Sequence, residues 1–97
     1  MISKEEIMDT LARVTGEIKG RYKVRRIGLF GSYARQEQHP GSDIDLLVEF
    51  SEDADLFDLA GLKYFLEELL HQSVDIVPER ALRDELRSSV LRDVSYV

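Results

Sequence analysis

Apolar residues near the start of the chain recur at helical spacing: Ile7, Leu11, Val14 and Ile18 follow one another in steps of four, three and four. Ahead of them stands Ser3-Lys4-Glu5-Glu6, the S-x-x-E form in which a serine hydroxyl and a glutamate carboxylate satisfy each other's backbone amides. Together they predict an amphipathic helix over residues 4–19, closed near Gly20. The pattern then changes. Val24 to Phe30 is a short apolar run with β-branched residues, ended by Gly31, and reads as a strand. Residues 32–42 hold a short turn of helix and a loop with Pro40-Gly41. From Asp43 to Phe50 the period is two, with Ile44, Leu46, Val48 and Phe50 on one side and Asp43, Asp45, Leu47 and Glu49 on the other.

Beyond an acidic loop, Asp55 is placed to cap a helix marked by Leu59, Leu62, Leu66, Leu69 and Leu70. Ser73 to Val77 forms a third strand, stopped by Pro78. Leu82, Leu86, Val90, Leu91 and Val94 make a last helical stripe, which frays before Tyr96-Val97. The order α-β-α-β-α-β-α gives an α/β fold: one domain over residues 1–97, with a small mixed sheet of about three or more strands. The helices pack mainly on one face of that sheet and leave the other free for chemistry.

One constellation carries that chemistry: Gly31-Ser32, ten further residues, then Asp43-Ile44-Asp45. Two residues apart on a strand, Asp43 and Asp45 point to the same side with Cα atoms roughly 6.5 to 7 Å apart, so both carboxylates reach shared hard cations. Ile44, Leu46 and Val48 anchor the opposite side in the core. Gly31-Ser32 lies where a strand gives way to a helical turn, so free backbone N–H groups and a hydroxyl converge where no Cβ blocks an approaching phosphate. A phosphate cradle beside a carboxylate pair is what phosphoryl or nucleotidyl transfer requires. Asp75, flanked by the inward-facing Val74 and Ile76, supplies a third carboxylate on the open side. An acid in so apolar a strand needs a partner, and a metal ion is one.

The stretches Gly28-Leu29-Phe30-Gly31-Ser32-Tyr33-Ala34-Arg35 and Ser42-Asp43-Ile44-Asp45-Leu46-Leu47-Val48, with Val74-Asp75-Ile76-Val77 and the C-terminal residues, resemble the minimal nucleotidyltransferase (MNT) family of the DNA polymerase β superfamily. The resemblance covers nearly the whole chain. It implies a polymerase-β-like palm core, a two-metal Mg²⁺ site on Asp43, Asp45 and Asp75, and the triphosphate of ATP held by Gly31, Ser32 and Arg35. It also implies a partner, since MNT proteins resemble the antitoxin half of modules whose toxin is a HEPN-domain ribonuclease. In that family the antitoxin transfers AMP from ATP to a tyrosine hydroxyl of the toxin. Gln36 stands where glycine is more common in the family.

Composition narrows the field. With no cysteine there is no disulfide scaffold, Cys-ligated zinc or thiol nucleophile, in keeping with a reducing, cytoplasmic setting. The first residues lack a signal peptide's apolar stretch, and no apolar run reaches the roughly 20 residues that span a bilayer, so no membrane role is expected. The net charge of −6 is uneven: residues 1–48 carry 8 basic and 7 acidic side chains, residues 49–97 carry 5 and 12. No direct DNA binding is expected from such a balance. The short basic stretch Lys19, Arg21, Lys23, Arg25 and Arg26 reads as a solvated loop and strand edge. His39 and His71 have no metal-ligand spacing, and Tyr33, Tyr64 and Tyr96 read as packing residues.

Two further functions compete with protein adenylylation. A module this small must borrow surfaces from a partner or from a second copy, in a hetero- or homo-oligomer. It could then neutralise a toxin by occlusion with the nucleotide site idle. Transfer to a small-molecule hydroxyl is the third, weakened because so short a chain hardly builds a closed pocket alone.

Overall fold

The computed structural model describes residues 2–97. Helix α1 (Lys4–Tyr22) leads into strand β1 (Val24–Phe30) and the one-turn helix α2 (Gly31–Ala34). Strand β2 (Ile44–Phe50), helix α3 (Leu56–Leu70) and strand β3 (Val74–Pro78) follow. A 3₁₀ turn (Glu79–Ala81), helix α4 (Asp84–Asp93) and a two-residue strand β4 (Ser95–Tyr96) complete the order. No helix among the described residues is long and apolar enough to cross a membrane.

Both long-helix starts rest on local chemistry that the sequence announces. The Glu6 amide donates to Ser3 Oγ at 3.1 Å and the Ser3 amide to Glu6 Oε1 at 3.2 Å. Asp55 Oδ1 accepts from the amides of Phe57 and Asp58, at 2.9 and 3.1 Å, while Asp58 Oδ2 accepts from the Asp55 amide. The first helix nevertheless overruns Gly20. It ends at Tyr22, where Lys23 adopts the left-handed conformation (φ 59°) that closes helices. Gly20 has no neighbour that needs its missing side chain, so it is simply a helical residue of high backbone entropy.

The sheet runs β3-β2-β1-β4. β1 pairs antiparallel with both β2 and β4, whereas β2 and β3 are parallel and are joined across the sheet by α3. On one face, Ile27, Leu29, Ile44, Leu46, Val48, Val74 and Ile76 meet Ile7, Leu11 and Ile18 of α1 and Leu62, Leu66 and Leu70 of α3. Leu69 lies outside this core and is exposed.

The helices lie mainly on that first face, as expected, but the opposite face is only partly open. Leu47 is fully buried there with Leu82 and Val90, and Phe30, Val77, Val94 and Tyr96 pack around them. The C-terminal residues do not fray: Ser95 and Tyr96 pair with Leu29 and Gly28 of β1. Gly28 permits this closeness, since a Cβ there would lie 2.6 Å from Val94 Cγ2 and 2.8 Å from Tyr96 Cδ1. Of the last helical stripe only Val90 is buried within α4, and Leu86 and Leu91 face solvent.

Candidate active site

Where β1 stops and α2 begins, the chain turns through Gly31 at φ +77°, a conformation that costs L-residues about 1–2 kcal/mol. Gly31 serves a second purpose. A Cβ at this position would overlap Asp45 Oδ2, so the carboxylate of β2 lies against the bare glycine backbone. Phe30 is the register partner of Asp45, which explains why the neighbouring Gly31 meets its side chain. Ser32 follows in the first turn of α2, where backbone amides have no helical acceptor.

Asp45 in turn sits directly across from Asp75 in the parallel β2–β3 register, on the face away from the main core. Neighbouring strands are about 4.8 Å apart, so the two carboxylates share one patch of surface. Asp43 stands just ahead of β2 and is exposed, as is Asp75, while Asp45 is half-buried. Burial, then the charges of Asp75 and Asp43, push the Asp45 carboxyl up to about 6, against a smaller opposing pull from Arg35. Asp45 thus lies against Gly31 and opposite Asp75, with the charge of Asp43 close enough to act on it, and Ser32 follows Gly31 in the chain.

Such a donor set fits Mg²⁺, a hard cation that takes one or two carboxylates and completes its shell with water and substrate phosphates. Among the described residues no three His, Asp or Glu side chains are grouped so that they could together hold a metal ion.

Arg35 differs from the sequence expectation in its company. Its Nη1 donates to Asp93 Oδ2 at 2.7 Å and its Nε to Glu37 Oε1 at 3.0 Å, so two carboxylates already engage the guanidinium. These hydrogen bonds hold its pKa above the ordinary arginine value. Sequence reasoning missed Asp93, and nothing could have signalled it: the two residues are 58 positions apart. Gln36 takes φ +59°, the left-handed conformation for which glycine is the natural residue. The basic stretch spans the last turn of α1 and the start of β1, where the sequence reading placed a loop and strand edge. Arg21 pairs with Glu17, Lys23 with Asp53 and Asp58, and Arg26 with Glu49 and Glu79 while stacking on Tyr96.

A groove of about 410 Å³ leads away from the carboxylates, walled by Phe30, Val77, Leu82 and Val90. Its existence follows from the unforeseen packing of the C-terminal segment over the sheet. A somewhat larger groove, about 460 Å³, lies at the far end of β2 between Phe50, Leu56 and Pro78 and carries none of these acids.

The raised Asp45 carboxyl makes a prediction for the metal-free protein. The folded state holds a proton on Asp45 up to about pH 6, whereas the unfolded chain releases it near 4. The folded form therefore binds more protons in that window, and this group's penalty, absent below about pH 4, grows as pH rises to about 6. Asp45→Asn removes the penalty. It is expected to stabilise the apo protein at pH 7 by about 1 kcal/mol after solvent screening, with the gain shrinking towards pH 4. Thermal denaturation in chelator across that range checks it, and a variant less stable than wild type at pH 7 contradicts it.

An α/β sandwich with a mixed sheet, a glycine-serine turn after the first strand and acids on the adjacent parallel strands β2 and β3 is the architecture of a nucleotidyl-transferring palm. It matches a solved minimal nucleotidyltransferase with a TM-score of 0.84 and 41% identity, over 97% of this chain and 95% of that one. Residues 11–97 match the nucleotidyltransferase domain family, and the chain belongs to it. It is 41% identical to the protein adenylyltransferase MntA of Thermococcus cleftensis, over 100% of this chain and 98% of that protein. A toxin–antitoxin complex crystallised with AMP-PNP also contains this fold, with a TM-score of 0.69 and 27% identity over 98% of this chain and 72% of that one.

Proposed function

We propose that the chain is a Mg²⁺-dependent protein adenylyltransferase that transfers AMP from ATP to a hydroxyl, a tyrosine's, of a HEPN-domain toxin and so acts as its antitoxin. The observation that carries the reading is the register of Asp45 opposite Asp75, beside the bare backbone of Gly31 and with Asp43 at hand. Like charges gathered this closely, one of them half-buried with a raised pKa, are unfavourable alone and favourable around cations. The similarity to MntA and to an antitoxin complex holding an ATP analogue supports the adenylyl donor and the toxin partner.

In this reading Asp43, Asp45 and Asp75 hold the metal ions. Bound there, Mg²⁺ neutralises triphosphate charge and lowers the pKa of the attacking hydroxyl. The Ser32 hydroxyl and the amides of the α2 turn hold the β- and γ-phosphates. Arg35 reaches a phosphate oxygen only by giving up Asp93 or Glu37, an exchange of one anion for another. Asp75, on the rim of the site, positions the acceptor and accepts its proton.

Intact-mass spectrometry of the protein encoded by the adjacent gene, after incubation with the chain, ATP and Mg²⁺, tests the proposal. A mass gain in whole AMP units is expected. A stable complex with no gain replaces this reading with neutralisation by occlusion.

A further inference from the structure

Arg35 is built into the glycine-serine turn. Its amide donates to the Gly31 carbonyl at 3.1 Å, and the Glu37 amide donates to the Ser32 carbonyl at 2.8 Å. Both side chains therefore spring from the segment that the function proposed above, on which this inference rests, assigns to the triphosphate. Between residues 31 and 42 there is no lysine and no other arginine, so Arg35 is the strong cation of that segment. Its charge also acts on the Asp45 carboxylate.

Two anions hold this cation, and they are of different kinds. Glu37 is two positions away with a well-exposed side chain, a solvated local contact of the sort that contributes little. Asp93 comes from 58 positions away, approaches to 2.7 Å and is only 20% exposed. It is the last residue of α4, where a carboxylate opposes the helix dipole, so its own helix gives it no electrostatic support. The tertiary packing delivers it. Val94, the next residue, packs beside Leu47, and Ser95 and Tyr96 pair with β1. The Asp93 oxygen stands on Nη1 at the distance that a charge-assisted bond to a phosphate oxygen would take.

We propose that Asp93 is an autoinhibitory residue: its carboxylate occupies Arg35 in the nucleotide-free protein, the triphosphate must displace it, and the docking of α4 thereby sets the affinity for ATP. Two anions compete for one guanidinium. The apparent dissociation constant of the nucleotide is then its intrinsic value divided by the fraction of molecules in which Arg35 is free. At the upper end of what a partly exposed ion pair contributes, that fraction is about one fifth. The exchange is reciprocal, so bound nucleotide loosens the grip of α4 on the α2 turn, and a freed α4 favours nucleotide.

Calorimetric titration of ATP with Mg²⁺ into the full chain tests the proposal, with Asp93→Asn, Arg35→Ala and the double variant run alongside. Asp93→Asn keeps the size of the side chain and removes its charge. It is expected to bind ATP about fivefold more tightly than the wild type. Asp93→Ala, at the same partly exposed helix end, is expected to match it, whereas Asp93→Glu, which keeps the charge, stays near the wild type. Thermal melts verify that the variants are folded. In the Arg35→Ala background the Asp93→Asn gain is expected to shrink below about twofold, because the competition has lost its object. A gain of equal size in both backgrounds makes Asp93 a general repulsive charge and overturns the proposal, as does ATP binding by Asp93→Asn and Asp93→Ala no tighter than the wild type's. Absence of ATP binding by the wild type and every variant overturns the proposed function itself.

Discussion

Replacing Asp43 and Asp45 together by alanine is expected to reduce AMP transfer at least about 10³-fold while leaving the fold intact. If Asp43 and Asp45 hold the metal ions as proposed, removing both forfeits several kcal/mol of charge stabilisation in the transition state, and each 1.36 kcal/mol is a factor of ten. The fold should survive because neither side chain supports it. Asp43 is exposed, and the charge of Asp45 is resisted by its surroundings, so its loss relieves repulsion with Asp75. Intact-mass kinetics on the toxin, alongside a thermal melt of the variant, measure both halves of the statement. Transfer at the wild-type rate by a folded double variant would remove the carboxylates from the mechanism.

Gly31→Ala is the second large effect, and it acts through geometry. The new Cβ would occupy the place of Asp45 Oδ2, and the +77° φ adds about 1–2 kcal/mol of backbone strain. Asp45 must swing away from its position opposite Asp75, or the α2 turn must shift. Either movement displaces a reacting group by about an ångström, for which a loss of about 10²-fold in transfer is expected. The melting temperature should fall by roughly 4–8 °C for each kcal/mol of strain. Gly41→Ala is the control: it too has positive φ, +95°, but nothing lies within 4 Å of where its Cβ would stand. It should share the strain and keep the activity. Equal activity losses in the two variants would show that strain, and not the approach of Asp45, is what Gly31 prevents.

Much of this was legible in the order of residues. The capping boxes at Ser3 and Asp55 depend on groups within three positions of one another, and the alternation through Ile44, Leu46 and Val48 depends only on the pleat of a strand. The same alternation turned Asp45 outward, and a lone acid between Val74 and Ile76 marked Asp75. Where the reading went astray, no local pattern was present. β4 is a two-residue strand with no periodicity to show, and it forms because Gly28 leaves space beneath Val94 and Tyr96. Leu47, on the polar side of the β2 pattern, was the one hint that this face carries a small core of its own.

From its sequence alone, then, the chain determines its helices and central strands, the direction each acid faces and the glycine-serine turn, because hydrogen-bond chemistry and side-chain period act over a few residues. Only tertiary structure decides that β2 and β3 align Asp45 with Asp75, that Asp45 presses on Gly31, that Asp93 claims Arg35 and that α4 walls a groove beside the acids. These join residues tens of positions apart. They are set by burial and register, which balance the whole core at once.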